Sequence, residues 1–386
     1  MKRQRGMWLA LAGGLFILAA WLMLSGQGED EAPAPPKVDF PRRLRPQERE
    51  RVERRRTYVL PQDAGVALAP GTQSEPRKPR DPLLAALPRG AGKTAVVIEA
   101  NALRYSPIGE LLLECLMNRG GEELERFKQT TGVDPLKDLD RLVITDEGLI
   151  VSGNFGDPRL KELLARDGSA AYGDGASLFE LGRSRTLPDG GVAQRQGLSV
   201  GTWNDQMLMF GFKPNGMNGI KDIIDRVEGR GPDEPPVLSE NSTYGEMYGV
   251  ISVEQLRKLF PPEQKELADR LAAAAQNVEL HVDASAGFAM TAQVKGADAA
   301  LVTDLGKSLG GALSLARMKA QAEDDTELAQ LLDFAKVRPD GNSFGLEMAV
   351  PLDVIQKQLA FCREAQEPPP TSASPEAVSG PSEVAH

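Results

Sequence analysis

The chain has 386 residues, with 45 Lys or Arg and 55 Asp or Glu, which give a formal net charge of −10. An acidic chain is a poor ligand for nucleic acid, and two Cys and two His are too few for zinc sites built from those residues. The sequence therefore predicts no nucleic-acid partner, no metal and no cofactor, while its length allows a sizeable folded core.

The first distinctive segment is an uninterrupted apolar run from Met7 to Leu24. As a helix this run is about 27 Å long, close to the roughly 30 Å thickness of a bilayer's hydrocarbon core. Three basic residues precede it and the acidic cluster 29–31 follows it, which predicts a cytoplasmic N-terminus. We expect a cytoplasmic stub (1–6) followed by a transmembrane anchor, with residues 7–25 in contact with the membrane. The expected location is the bacterial inner membrane, with a single membrane span and with most of the chain in the periplasm.

A cleaved signal peptide is the alternative interpretation of this run. Its apolar core is usually 7–15 residues and is followed by an A-x-A-like site, and this run is longer and has no such site. A bacterial lipoprotein would carry Cys where this chain has Gln27. These features favour a retained anchor.

Two flanking regions have compositions that disfavour a packed core. Residues 26–92 are rich in Pro, Arg and Glu without apolar periodicity, and residues 364–386 are rich in Pro, Ser and Glu. We interpret the first as a disordered basic tether and the second as a disordered tail. The basic stretch Arg42–Arg56 raises the alternative of contact with anionic lipid, but a solvated linker is favoured.

Residues 94–363 carry the acidic charge and contain the same plan twice. Each half begins with a strand and a helix, continues with a hairpin and a second helix, and closes with a strand and a helix. The first half spans 93–230 and the second 243–363, and extra strands are expected between Leu178 and Val200. The sequence predicts an internally duplicated α+β domain of β-α-β-β-α-β-α order, with a mostly antiparallel sheet and helices on one face. It leaves open whether the halves share one sheet.

One phrase carries a resemblance. Residues 132–140, GVDPLKDLD, stand before a predicted strand and resemble a phrase of membrane-anchored bacterial envelope proteins of unknown function. The resemblance implies a location in the bacterial envelope, and it implies no activity. Physically, Asp134-Pro135 is typical of a turn.

Two candidate sites are weighed and set aside. The segment 90–94, GAGKT, ends like a phosphate-binding loop, but Leu87 replaces the first glycine and the segment precedes a strand and not a helix. His281 lies on a strand face shared with Glu279 and Asp283, and a solvated face is favoured over a metal or acid–base site.

The remaining candidates are cysteines, acidic clusters and glycines. Cys115 and Cys362 either pair or remain buried free thiols, and free thiols are favoured. Gly306 and Gly310 predict close packing of a helix. The acidic clusters favour a solvated surface over cation binding or hydrolysis; they are Asp138/Asp140, Asp222/Asp225 and Glu323-Asp324-Asp325.

The sequence thus assigns no catalytic, cofactor-binding or metal-binding residue. The favoured hypothesis is a non-enzymatic, single-pass envelope protein whose tethered acidic domain binds a protein or another envelope component. The alternatives are a hydrolase whose carboxylates meet only in the fold, and an accessory subunit of a membrane complex. A concave pocket with converging, pKa-shifted carboxylates favours the hydrolase, and an exposed apolar patch favours the binding module.

Overall fold

The structure is a computed structural model and describes residues 81–166, 168–181, 185–186, 192–193, 198–211, 216–258, 260, 265–340 and 343–359. Within these ranges no helix is long and apolar enough to cross a membrane. The expected anchor (7–25), most of the expected tether and the expected tail lie outside the described residues.

The described residues form ten α-helices and fourteen strands. The helices are Pro82–Ala86 (α1), Ala100–Arg104 (α2), Pro107–Thr131 (α3), Pro158–Ala165 (α4), Gly216–Val227 (α5), Val253–Arg257 (α6), Lys265–Ala274 (α7), Ala299–Ala322 (α8), Thr326–Asp333 (α9) and Leu352–Gln358 (α10). The strands are Ala95–Ile98 (β1), Leu139–Thr145 (β2), Gly148–Gly153 (β3), Ser169–Tyr172 (β4), Ala176–Leu181 (β5), Arg185–Thr186 (β6), Val192–Ala193 (β7), Leu198–Trp203 (β8), Met207–Gly211 (β9), Met247–Ser252 (β10), Asn277–Asp283 (β11), Phe288–Lys295 (β12), Ala335–Asp340 (β13) and Ser343–Val350 (β14).

Twelve of these strands form one sheet in the order β13-β14-β12-β11-β10-β1-β2-β3-β9-β8-β5-β4, and β6 and β7 form a separate hairpin. All the strand pairs of this sheet are antiparallel. The α+β class and the antiparallel sheet are therefore confirmed, and the two halves share the sheet through the β1–β10 pair.

The register of this central pair reflects the repeated plan. Val96 lies opposite Gly249, and on either side Ala95 pairs with Val250 and Val97 with Tyr248. Aligning β1 with β10 makes Ala95 equivalent to Tyr248 and Val97 equivalent to Val250, so exchanging the halves leaves the pairing unchanged. The outward orders β1-β2-β3-β9-β8 and β10-β11-β12-β14-β13 correspond as well. Along the chain, each half therefore closes with a pair of antiparallel strands, β8 with β9 in the first half and β13 with β14 in the second. The predicted plan gave each half only one closing strand, so it lacks one strand of each pair.

One face of the sheet, which we call the α8 face, is covered in both halves. In the first half Leu160 and Leu164 of α4 pack on strand residues that include Val151. In the second half α6, α7 and α8 cover strand residues that include Val294 and Phe344.

The opposite face, which we call the α5 face, is covered by helices in the first half. Ile220, Ile223 and Ile224 of α5 are fully buried against Val143, Ile150 and other strand residues. The expectation of helices on one face is therefore wrong. Its physical reason lies in β3, where the consecutive residues Leu149-Ile150-Val151 send apolar side chains to both faces, and each face needs a cover.

The described fold begins within the predicted tether. Leu83 and Leu87, in and just after α1, are buried in the same core as α5, so the expected boundary at residue 92 is wrong. Two buried arginines fix this segment. Arg141 makes a two-point ion pair with Asp81 (Nη2–Oδ1 2.9 Å), and Arg226 donates to the Ala86 carbonyl (3.0 Å) and pairs with Glu147. The segment is too short for its periodicity to be recognised from sequence.

Helix starts follow the local sequence. Asp157 and Asp298 accept hydrogen bonds from the first-turn amides of α4 and α8, and Pro158 stands in the first turn of α4, as predicted. The turn between β2 and β3 and the extra strands between Leu178 and Val200 are also confirmed.

Candidate functional site

The residues with the most chemical potential form a buried polar network on the α5 face of the second half. His281 on β11 is only 3% exposed, and its ring stacks on Tyr244 at a centroid distance of 3.8 Å. Its Nε2 lies 3.2 Å from Glu279 Oε1, and its Nδ1 lies 3.4 Å from the Tyr244 carbonyl. The prediction that His281 shares a strand face with Glu279 is confirmed. The prediction that this face is solvated is wrong for His281, because the segment that contains Tyr244 covers its ring.

Glu279 is the acceptor at the centre of this network. Its hydrogen bond with His281 is the main reason that the pKa of Glu279 lies well below its usual range. Burial acts in the opposite direction, and hydrogen bonds from Lys295 and Ser242 lower the pKa further. Lys295 Nζ lies 2.6 Å from Oε2, so both carboxylate oxygens of Glu279 have cationic or polar partners. An acceptor so fully engaged stabilises the fold and is poorly placed to act as a base.

A second group of carboxylates lies on the α5 face of the central strands. Tyr248 Oη donates to Glu99 (2.7 Å), and the Ala284 amide donates to Glu246 (2.8 Å). Burial raises the pKa of Glu246, and the negative charges of Asp283 and Glu99 raise it further. This is the arrangement closest to the converging carboxylates that a hydrolase needs.

Neither group lines either of two depressions on the surface of the described residues. One depression is an open surface beside α3, lined by Gly121, Glu122, Glu125, Arg126 and Gln129. A much smaller cleft lies beside the Asp81–Arg141 pair. Among the described residues there is no group of three or more His, Cys, Asp or Glu that could hold a metal ion.

The cysteine prediction needs a correction. Cys115, on α3, is disulfide-bonded, so the favoured free thiol is wrong for this residue. Cys362 lies outside the described residues. Spacing along the chain could not decide this, because pairing depends on the distance between Cα atoms in the fold.

The segment 90–94, which resembles the end of a phosphate-binding loop, has a structural role. The Gly90 amide donates a hydrogen bond to the Pro235 carbonyl, and the segment leads into β1 as expected. The backbone amide of Thr94 donates a hydrogen bond to the Asp146 carboxylate (2.6 Å), and the Thr94 hydroxyl donates one to the Ser252 hydroxyl (3.0 Å). The segment thus ties the halves together.

The acidic clusters serve turns, caps and ion pairs. Asp138 accepts from the Asp134 amide (2.7 Å), and Asp325 caps α9. Asp225 accepts from Tyr172 (3.0 Å) and pairs with Arg230 (2.7 Å).

The glycine prediction is confirmed in part. A Cβ on Gly306 would lie 3.1 Å from the Phe344 ring, closer than an ordinary contact, so α8 packs closely on Phe344 at this glycine. A Cβ on Gly310 would make only ordinary contact with Val337, at 3.9 Å.

The phrase 132–140 also has a structural role. Gly132 ends α3 in the left-handed conformation, and a Cβ there would lie 2.1 Å from the Asp157 carboxylate. Asp134 forms the expected turn by accepting from the Leu136 amide (3.0 Å). These contacts explain the residues of the phrase without a ligand.

Exposed apolar side chains were the surface that sequence reasoning missed. Six of the eight large exposed apolar side chains of the described chain lie on the two longest helices, α3 and α8. On α3 they are Leu116, Met117 and Phe127, and on α8 they are Leu301, Leu315 and Met318. The signal was present in the sequence, because both helices carry more apolar positions than one packed face requires.

No protein-family model, curated protein or solved structure matches the chain.

Proposed function

We propose that this chain is a non-enzymatic, single-pass protein of the bacterial envelope whose tethered acidic domain binds a protein partner. The observation that carries the proposal is the α3 surface, made of exposed Leu116, Met117 and Phe127 with half-buried Leu113 and Leu124. The helix is kinked at Gly120, so Leu116 and Met117 lie before the kink and Phe127 lies after it. Exposed apolar side chains grouped on one element are typical of interaction sites. This surface is the feature expected of a binding module.

The chemistry around the α3 surface indicates what the partner presents. Glu114, Glu122, Glu123 and Glu125 are exposed on the same helix and outnumber the exposed Arg126 there, so this part of the helix is acidic. Apolar residues at the centre and charges at the rim are the usual anatomy of an interface, and rim charges select partners of opposite sign. We therefore expect an apolar patch with a basic rim on the partner.

The proposed location rests on the N-terminal sequence and on one structural feature. Basic residues before the apolar run 7–25 support a cytoplasmic N-terminus with the domain outside. The disulfide of Cys115 supports the same location, because structural disulfides persist in oxidising compartments such as the periplasm.

A carboxylate hydrolase is the second candidate. The raised pKa of Glu246, beside Asp283 and Glu99, favours it. Against it, the Ala284 amide already occupies Glu246 and the Tyr248 hydroxyl occupies Glu99. These bonds stabilise the strand ends without a substrate.

The test is site-specific photo-crosslinking in cells that express the full-length chain. A crosslinking residue at Phe127 is expected to capture one specific partner, and the same residue at exposed Gln129, on the opposite side of the helix, is the matched control. The substitution Phe127→Asp should reduce capture from a second probe at Met117 by at least tenfold. Equal capture at positions 127 and 129, or no specific partner with the full chain or with a version lacking residues 1–25, contradicts the proposal.

A further inference from the structure

The second apolar surface lies on α8 and runs the length of the helix. Leu301 is 47% exposed, Leu315 64% and Met318 56%, whereas Val302 and Leu305 point into the core. Ser308, Gly311 and Ala312 are exposed between them. At 3.6 residues per turn, positions 301, 304, 308, 311, 315 and 318 form one stripe on the solvent side, which we call the α8 stripe.

The α8 stripe matches itself when a second copy is placed antiparallel to it. With a two-fold axis midway between residues 311 and 312, Leu315 of each copy lies opposite Ser308 of the other. The small residues Gly311 and Ala312 then meet at the axis, where they allow close approach of the helices. A two-fold interface uses the same patch on both subunits, so this self-complementarity is what a homodimer requires.

The charges agree with the same register. Asp304 and Lys319 are exposed, and the same axis places Asp304 of one copy opposite Lys319 of the other, twice in the dimer. Within the described part of one chain, Lys319 forms an ion pair with exposed Glu323, at a distance of 3.7 Å. Such an exposed pair is weak, so Lys319 can turn toward the second copy at little cost. A parallel arrangement would instead bring like charges together.

We propose that the α8 stripe is a homodimer interface, formed by antiparallel pairing of α8 with α8 of a second copy. One helix pair of 24 residues buries less than the roughly 800 Å² per partner of a standard interface, so the dimer is weak and concentration-dependent. The α3 surface is a separate patch, and the dimer does not depend on the proposed partner.

The first experiment is disulfide trapping of the full-length chain in membranes. Ala312→Cys lies next to the axis and should give a covalent dimer on mild oxidation. Ser314→Cys, exposed on the same helix but off the stripe, is the matched control and should remain monomeric. Equal trapping at both positions, or trapping only at position 314, overturns the proposal.

The second experiment tests the register through charge. Asp304→Lys places two lysines opposite each other, so the dimer fraction of detergent-solubilised full-length protein, measured by light scattering, should fall at least fivefold. Lys319→Asp alone should do the same, and the double variant should recover the dimer because the pairs are restored in reverse. Circular dichroism checks that each variant folds. Failure of the double variant to recover, or no loss in either single variant, contradicts this interface.

Discussion

The two halves of the sheet share one strand order but differ on the α5 face. In the first half this face is apolar and is closed by α5 and α1, with Val143, Ile150 and Met209 buried beneath them. In the second half the equivalent strands present Glu279, His281 and other polar side chains, and these are joined by hydrogen bonds and ion pairs. The comparison shows that one repeated plan can close a sheet face with an apolar layer or with a polar network.

The difference follows from side-chain patterns within the strands. On β3 the residues Leu149-Ile150-Val151 are apolar without alternation, so both faces need a cover. On β12 apolar Met290 and Ala292 alternate with Thr291 and Gln293, so only the α8 face is apolar there. Three substitutions test the consequences of this difference.

The largest effect should come from opening the apolar cover of the first half. Ile223 of α5 is fully buried against the sheet, so Ile223→Ala leaves a cavity and should lower the free energy of unfolding by roughly 4 kcal/mol. Urea denaturation of the full-length chain in detergent measures the change. Met217→Ala on the same helix is the control and should cost clearly less, because Met217 is only partly buried. Equal losses would show that α5 does not close this face tightly.

The sequence predicted the elements better than their placement. The caps at Asp157 and Asp298 and the strands β1 and β10 are decided by local residues, and they were predictable. The unbroken apolar residues of β3 also indicate, in the sequence alone, that the second face of the sheet needs a cover.

The polar network lay beyond the reach of sequence reasoning. The burial of His281 depends on Tyr244, 37 residues earlier in the chain, which stacks on its ring. No local pattern around β11 records that contact. The disulfide of Cys115 was hidden for the same reason, since it depends on distances in the folded chain.

A smaller effect should come from the network of the second half. Glu279→Gln keeps the shape but removes the charge that His281 and Lys295 contact, and it should cost about 1–3 kcal/mol at neutral pH. The folded-state pKa of Glu279 is lowered, so its contribution is present above the unfolded value of roughly 4.3 and is lost as the pH falls toward the folded value.

The measurement for Glu279 is therefore the free energy of unfolding as a function of pH. The difference between the wild type and Glu279→Gln should shrink as the pH drops below about 4. Glu254→Gln, which changes an exposed carboxylate paired with Lys258, is the control and should have almost no effect at any pH. A constant difference across the range would mean that the charge of Glu279 is not what stabilises the network.

The smallest effect on the free energy of unfolding should come from Glu246→Gln, and its sign should be opposite to that of Glu279→Gln. Burial raises the pKa of Glu246, so the folded protein holds this proton more tightly than the unfolded chain does. Stability from Glu246 is thus fully present below the unfolded pKa and is lost as the pH rises through the folded value. Glu246→Gln keeps an acceptor for the Ala284 amide without the charge, so it should stabilise the protein slightly at pH 7 and change little near pH 4. A loss of stability at pH 7 would show instead that the hydrogen bond from Ala284 to the ionised carboxylate outweighs the cost of burying its charge, and the central strands would then rely on charge as the second half does.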